Sequence, residues 1–373
     1  MLALNKKTQT AGRGLLPEWL QLRADLILGL ALCAVLAAGA MLLDRVAWLQ
    51  AHGLSALTLA IMLGFVVGNT VFSKIADHCA PGVHYAKQYL LRLGIILYGF
   101  RLTFQDMGYV GIAGVLIDAL VITTTFGLAI VLGIHLFKLE RGTAMLIGIG
   151  SSICGAAAIM AAEPVLKARA EQVTVAVATV VVFGTVAIFV YPLLYNLNLQ
   201  WQLLDATDFA YGLFAGSTIH EVAQVVAAGA AVSPTAADTA VIAKMVRVMM
   251  LAPFLIFLAL YLARGNTPQE AKQRPSQAKQ GILAGMTVPW FAFIFVLVAG
   301  FNSLQLLPET MIVQIAQLDT ALLAMAMAGL GLTTDIKAIR RAGLKPLMLA
   351  SLLFAWLIVG GGALNYAITA VFT

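Results

Sequence analysis

The sequence predicts an all-α polytopic membrane protein, and three observations carry that expectation. The chain is 61% hydrophobic and only 11% charged, against about 25% charged residues in a typical soluble domain. Its mean hydropathy is +0.94. Apolar runs long enough to cross a hydrocarbon core of ~30 Å recur from end to end, leaving no room for a large soluble domain.

In order, the apolar segments fall near 26–43, 54–73, 88–105, 109–137, 142–165, 171–195, 207–231, 235–263, 281–301, 311–333 and 345–371. They predict about 9–11 transmembrane segments. Lys6, Lys7, Arg13 and Arg23 precede the first, and Asp44-Arg45 follows it. That run is too long for the apolar region of a signal peptide, so it reads as an uncleaved span. Residues 1–25 are then a cytoplasmic tail, and 26–373 a single transmembrane domain. The longest polar linker, 264–280, holds Arg264, Lys272, Arg274 and Lys279 without making a separate domain.

The net charge of +6 comes from basic residues scattered in short loops, with no aromatic-basic platform. Such residues set topology rather than bind nucleic acid. The tail, the 264–280 linker and the cluster Lys337, Arg340, Arg341 and Lys345 are expected on the cytoplasmic side. No Lys or Arg occurs from 170 to 243 or from 280 to 336. Plain alternation of eleven spans misplaces Lys167 and Arg169 outside, and puts the uncharged 196–206 linker inside. Making 142–165 and 207–231 re-entrant repairs both faults, and the two segments then enter from opposite faces. Broken helices that cross the membrane remain the alternative.

Those two segments echo each other. One contains Gly150-Ser151-Ser152-Ile153-Cys154-Gly155, the other Gly216-Ser217-Thr218-Ile219-His220-Glu221-Val222-Ala223-Gln224. Interrupted apolar segments in corresponding halves point to a transporter's substrate site. They suggest inverted repeats at about 54–195 and 207–371. Gly99-Phe100-Arg101-Leu102-Thr103 and Gly329-Leu330-Gly331-Leu332-Thr333 are a weaker pair, as are 171–195 and 235–263.

If Gly150 and Gly216 open helices, free N–H groups beside the Ser151, Ser152, Ser217 and Thr218 hydroxyls suit a small oxyanion. Gly150, Ser151, Ser152, Gly216, Ser217 and Thr218 are therefore the expected substrate-binding residues. The competing reading is close packing of small residues. On a helix starting after Gly216, Ser217, His220, Glu221 and Gln224 form one polar stripe, which must face protein or water rather than lipid. Histidine is the side chain most able to gain or lose a proton near neutral pH, so His220, Glu221 and Gln224 are the expected ion-coupling residues, unless the stripe only fastens helices together. Lys244, Arg247 and Asp118, set inside apolar segments, are the expected charge-balancing groups; Lys244 and Arg247 read otherwise as snorkelling. Arg101 reads as interfacial.

No enzyme is expected. His220-Glu221-Val222-Ala223-Gln224 falls one residue short of the zinc motif H-E-x-x-H, because glutamine is a poor zinc ligand. Cys33, Cys79 and Cys154 lie far apart and show no metal-binding spacing. No cofactor or metal is expected, only coupling to H+ or Na+.

The Gly150–Gly155 and Gly216–Gln224 segments, with Leu93-Gly94-Ile95-Ile96-Leu97-Tyr98-Gly99-Phe100-Arg101-Leu102-Thr103, resemble the YeiH family of bacterial inner-membrane proteins. This family is also called UPF0324 or the sulfate exporter family. The resemblance runs from about residue 25 to the C-terminus. It implies a secondary transporter related to the bile-acid and sodium–proton antiporter superfamily, with discontinuous helices near the midplane. It also implies a bacterial inner-membrane location and export of sulfate or a sulfur oxyanion such as sulfite. The expectation is an ion-coupled carrier of a small anion, N-terminus cytoplasmic, with small-residue faces that allow a homodimer. An anion channel, or a membrane receptor or assembly component without transport, are the alternatives.

Overall fold

The computed structural model describes residues 18–46, 48–49, 54–201, 207–264, 290–334 and 342–372. The described residues form helices and no strand. Helix α1 is Glu18–Leu43, so the first span begins earlier than 26 and takes in the end of the expected tail. Then come α2 (Ala56–Val67), α3 (Ser73–Tyr85), α4 (Leu91–Tyr98) and α5 (Phe104–Val131). Residues Ala56–Arg101 form a nearly continuous helical stretch of 46 residues, about 69 Å if straight. It does not run straight. A Cβ on Gly64 would meet Ala328 O at 2.3 Å, and one on Gly329 would lie 3.3 Å from Val83 O. Both parts of the stretch therefore lie against the same turns of one helix, Glu309–Thr333 (α14). The chain folds back within this stretch, where π-helical turns at Gly68–Phe72 and Ala86–Leu90 interrupt the α-helix. The expected segments 54–73 and 88–105 are its two arms.

The next four helices are short and paired. They are α6 (Arg141–Ser152) with α7 (Ala156–Leu166), and α9 (Asp208–Thr218) with α10 (Val222–Ala230). The 32-residue α8 (Ala170–Trp201) separates the pairs. Each short helix has 9 to 12 residues, which reaches about halfway across a ~30 Å core. The rest are α11 (Pro234–Met249), α12 (Leu251–Arg264), α13 (Trp290–Ser303), α14 (Glu309–Thr333) and α15 (Leu344–Phe372). Among the described residues seven helices are long and apolar enough to cross a membrane. The remaining expected segments are the two short-helix pairs, the second arm of Ala56–Arg101, and α13. The linker residues from 265 onward, with Lys272, Arg274 and Lys279, and the basic residues Lys337, Arg340 and Arg341, lie outside the described residues.

Both short pairs are re-entrant hairpins. Glu140, just before α6, accepts a 2.6 Å hydrogen bond from Gln172 and is ion-paired with Arg169, just after α7. These donors, Arg169 foremost, hold the Glu140 carboxyl below the usual glutamate range. The chain therefore enters and leaves this pair at one place. In the second pair, Asp208 at the start of α9 takes hydrogen bonds from Tyr195 (2.6 Å) and from Ser233, the residue before α11. Tyr211 donates to Ala228 O across this hairpin at 3.1 Å. The first mouth touches α8 at Gln172 and the second at Tyr195, about 35 Å apart along that helix. The hairpins thus dip toward each other from opposite faces, as the distribution of Lys and Arg predicts.

The packing sorts the helices into two groups. Helices α1–α4, α13 and α14 pack mainly on one another, as do α5–α12 and α15. The second group holds both hairpins, and a cavity lies between the groups.

Candidate functional site

The hairpin tips are short breaks. Helix α6 stops at Ser152, Ile153 leaves helical geometry, Gly155 takes φ +67°, and α7 starts at Ala156. Helix α9 stops at Thr218, Ile219 and Glu221 are extended, and α10 starts at Val222. This corrects the expected polarity. Gly150, Ser151 and Ser152, like Gly216, Ser217 and Thr218, close helices rather than open them. They present carbonyl oxygens at the tips, not free N–H groups. Small and hydroxyl residues serve either end of a helix, so composition does not distinguish the two.

The last carbonyls of a helix lack intrahelical partners and carry the negative end of its dipole. Two buried cations answer them. Lys244 Nζ donates to Ile153 O at 2.7 Å and to Ile219 O at 2.6 Å, bridging the two tips. Arg247 donates through Nε to Ser152 O (2.7 Å), through Nη1 to Ile219 O (3.1 Å) and through Nη2 to Ser151 O (3.0 Å). Both side chains are 0% exposed. The snorkelling alternative for Lys244 and Arg247 is therefore excluded. They stand one turn apart on α11, which runs beside α9. A Cβ on Gly216 would come 2.4 Å from Ala240 O, so only glycine permits this approach.

Asp118 on α5 is fully buried near both cations, and its carboxylate oxygens have no hydrogen-bond partner among the described residues. Glu221 extends from the second tip to the first. One carboxylate oxygen accepts the Ala156 N–H at 3.3 Å, at the positive start of α7. Two cations thus face two carboxylates across the tips, a formally neutral set. The Glu221 N–H donates to Gln224 Oε1 at 2.9 Å. His220 is 1% exposed, its Nδ1 without a partner among the described residues and its ring 6.3 Å from that of Phe354. The expected single-face stripe does not form, because the break at 219–221 separates Ser217 from Gln224. The same break removes the one-helix geometry that H-E-x-x-H chemistry needs. Ser217 instead exchanges hydrogen bonds with Asn365 of α15, a partner not singled out from the sequence.

The cavity of about 660 Å³ reaches the tips from the face where α8 begins. Its inner end is made by Cys154, Ala156 and Ala157 from one hairpin and Glu221, Val222 and Ala223 from the other. Those are the helix N-termini, whose first N–H groups favour an anion. The six residues expected to bind substrate do not line it; they lie behind the tips with Lys244 and Arg247.

Sequence reasoning also missed a second buried polar cluster. Arg101 is ion-paired with Asp319 at 2.7 Å, donates to Thr320 and Ala316, and lies 4.9 Å from the Tyr98 ring. It is anchored on α14. Tyr98 donates to Asp238 at the start of α11 at 2.7 Å, joining the two helix groups. Asp319 lies more than 200 residues from Arg101, and no local pattern reports such a pair.

The family model described as Conserved hypothetical protein 698 matches residues 28–350. The chain is 60% identical to a UPF0324 membrane protein of Pseudomonas aeruginosa, over 91% of this chain and 94% of that one. It is 55% identical to the UPF0324 inner membrane protein YeiH of Escherichia coli strain K12, over 92% and 94%. No solved structure matches it. A match that covers both hairpins, the cations between them and nearly every described helix places the chain in the UPF0324 family of membrane proteins.

Proposed function

We propose that this protein is an ion-coupled secondary transporter of small anions, working outward across the bacterial inner membrane. The observation that carries this is the meeting of two opposed hairpins at buried Lys244 and Arg247. Transporters build their sites from discontinuous helices near the midplane, with helix N-termini facing anionic groups. Here the cations neutralise the helix C-termini and leave the N-termini of α7 and α10 facing the cavity. The relation to the bile-acid and sodium–proton antiporter superfamily belongs to the same proposal.

Orientation follows from charge. Lys138, Arg141, Lys167 and Arg169 flank the mouth of the first hairpin, whereas the mouth of the second carries Asp208 and no Lys or Arg. By the positive-inside rule the first mouth is cytoplasmic. The cavity then opens to the cytoplasm, the loading side for export, and the N-terminus is cytoplasmic. His220 and Glu221 are assigned the coupling H+ or Na+, since each ionisable side chain sits in the break.

Proteoliposomes test this. Preloading with sulfite or sulfate should accelerate uptake of the labelled anion, as a carrier does and a pore does not. His220→Ala or Glu221→Gln should abolish the response to an imposed ion gradient while the fold persists. Flux without counterflow would make the protein a channel. Gradient-driven flux unchanged in both variants would remove His220 and Glu221 from coupling.

A further inference from the structure

We infer that the cavity between the helix groups binds an amphipathic organic anion, an acid with a sizeable apolar body, rather than a bare inorganic oxyanion. The inference rests on the transporter reading and names its substrate class. Volume is the first reason. A tetrahedral oxyanion is the size of a few water molecules, each ~30 Å³ in the liquid. A cavity of about 660 Å³ belongs instead to the range of ~300–1,000 Å³ that encloses organic ligands.

Chemistry is the second reason. Most of the lining is apolar: Leu91 and Ile95 of α4, Phe291 of α13, Met327 of α14, and Val222 and Val248 from the hairpin group. Walls of this kind favour a hydrocarbon surface over water. An inorganic anion there would leave them in contact with solvent and gain nothing from them.

Charge is the third. Lys87, Arg92 and His84 line the cavity on the α3–α4 side, and Glu221 is the carboxylate in the lining. Glu221 is already engaged by the Ala156 N–H. Lys87 has one long hydrogen bond, 3.4 Å, to Thr333. Arg92 is exposed and makes no hydrogen bond or ion pair among the described residues. Its guanidinium is a planar fork suited to carboxylate, sulfonate or phosphate oxygens. Arg92 and Lys87 therefore draw the ligand's acidic head into the cavity toward the N-termini of α7 and α10, and its body lies against Leu91, Phe291 and Met327.

Full-length protein in phosphatidylcholine nanodiscs tests the assignment with three probes: naphthalene-2-sulfonate, its uncharged sulfonamide, and sulfate. The sulfonate should bind at least about tenfold more tightly than sulfate or the sulfonamide. Arg92→Gln with Lys87→Gln should weaken it by about tenfold or more. Phe291→Ser should weaken the sulfonate and leave any sulfate binding unchanged. Equal affinity for sulfate, binding that survives the double variant, or the same binding to empty nanodiscs would overturn the inference. Displacement by phosphatidylglycerol, with no transport of the sulfonate, would assign the cavity to a lipid headgroup and also overturn it. Sulfate flux without sulfonate affinity would sink this inference and leave the transporter reading standing. Sulfonate binding without flux of any anion would do the reverse.

Discussion

Arg247 uses three nitrogens on three carbonyl oxygens from both hairpin tips. Lysine has one nitrogen and cannot reproduce that fork. Hydrogen bonds to charged groups are worth ~1.5–3 kcal/mol each, and a buried carbonyl left unpaired costs more than the bond alone. Arg247→Lys is therefore expected to cost about 3 kcal/mol or more, read as a lowered unfolding midpoint in detergent. Asp118 gives a different signature. It has no hydrogen bonds to lose, yet its charge offsets Lys244 and Arg247. Asp118→Asn should destabilise by about 3–5 kcal/mol, the cost of uncompensated buried charge. Lys244→Met leaves Ile153 O and Ile219 O without their donor and is costly by itself, but combined with Asp118→Asn it should cost clearly less than the sum of the singles. Strict additivity would mean that the two charges do not interact.

The hairpin as an element depends on its tip. Gly155 has φ +67°, and a Cβ there would meet Glu221 Cγ at 2.5 Å. Gly155→Ala should add about 1–3 kcal/mol of backbone strain, displace Glu221 from α7, and abolish transport. Gly127, inside α5 with open space around it, is the control; Gly127→Ala should be neutral or stabilising by about 0.5–1 kcal/mol. Equal behaviour of the two variants would deny the tip its special role. Much of this element was legible in the chain. The misplaced charges of Lys167 and Arg169 favoured re-entry over broken crossing helices, and Glu140 is found paired with Arg169, as a hairpin requires. The polarity of the tips was not legible, because Gly-Ser-Ser and Gly-Ser-Thr suit a helix end as well as a helix start. Two structural facts settle it: where the chain leaves helical geometry, and which cations reach the carbonyls. Ser217 with Asn365, and Arg101 with Asp319, were beyond local patterns because tertiary packing alone brings them together.

At the scale of the molecule, the cavity lies between two helix groups that Tyr98 and Asp238 join away from it. Under the proposed transport function, alternating access requires such a junction to loosen. Tyr98→Phe removes the hydroxyl and leaves Asp238 without that donor. It should lower stability by about 1–2 kcal/mol and speed hydrogen–deuterium exchange at 235–241, the start of α11. Unchanged exchange there would mean that the bond does not hold the groups together. The central claim is that the hairpins enter from opposite faces. Single cysteines at Lys167→Cys and Ser233→Cys test it most directly, in protein whose Cys33, Cys79 and Cys154 have been replaced. A membrane-impermeant maleimide is applied to right-side-out and inverted vesicles. With re-entrant hairpins, residue 167 is labelled only from the cytoplasmic side and residue 233 only from the opposite side. Labelling of both from the same side would make each pair a full crossing and contradict the account.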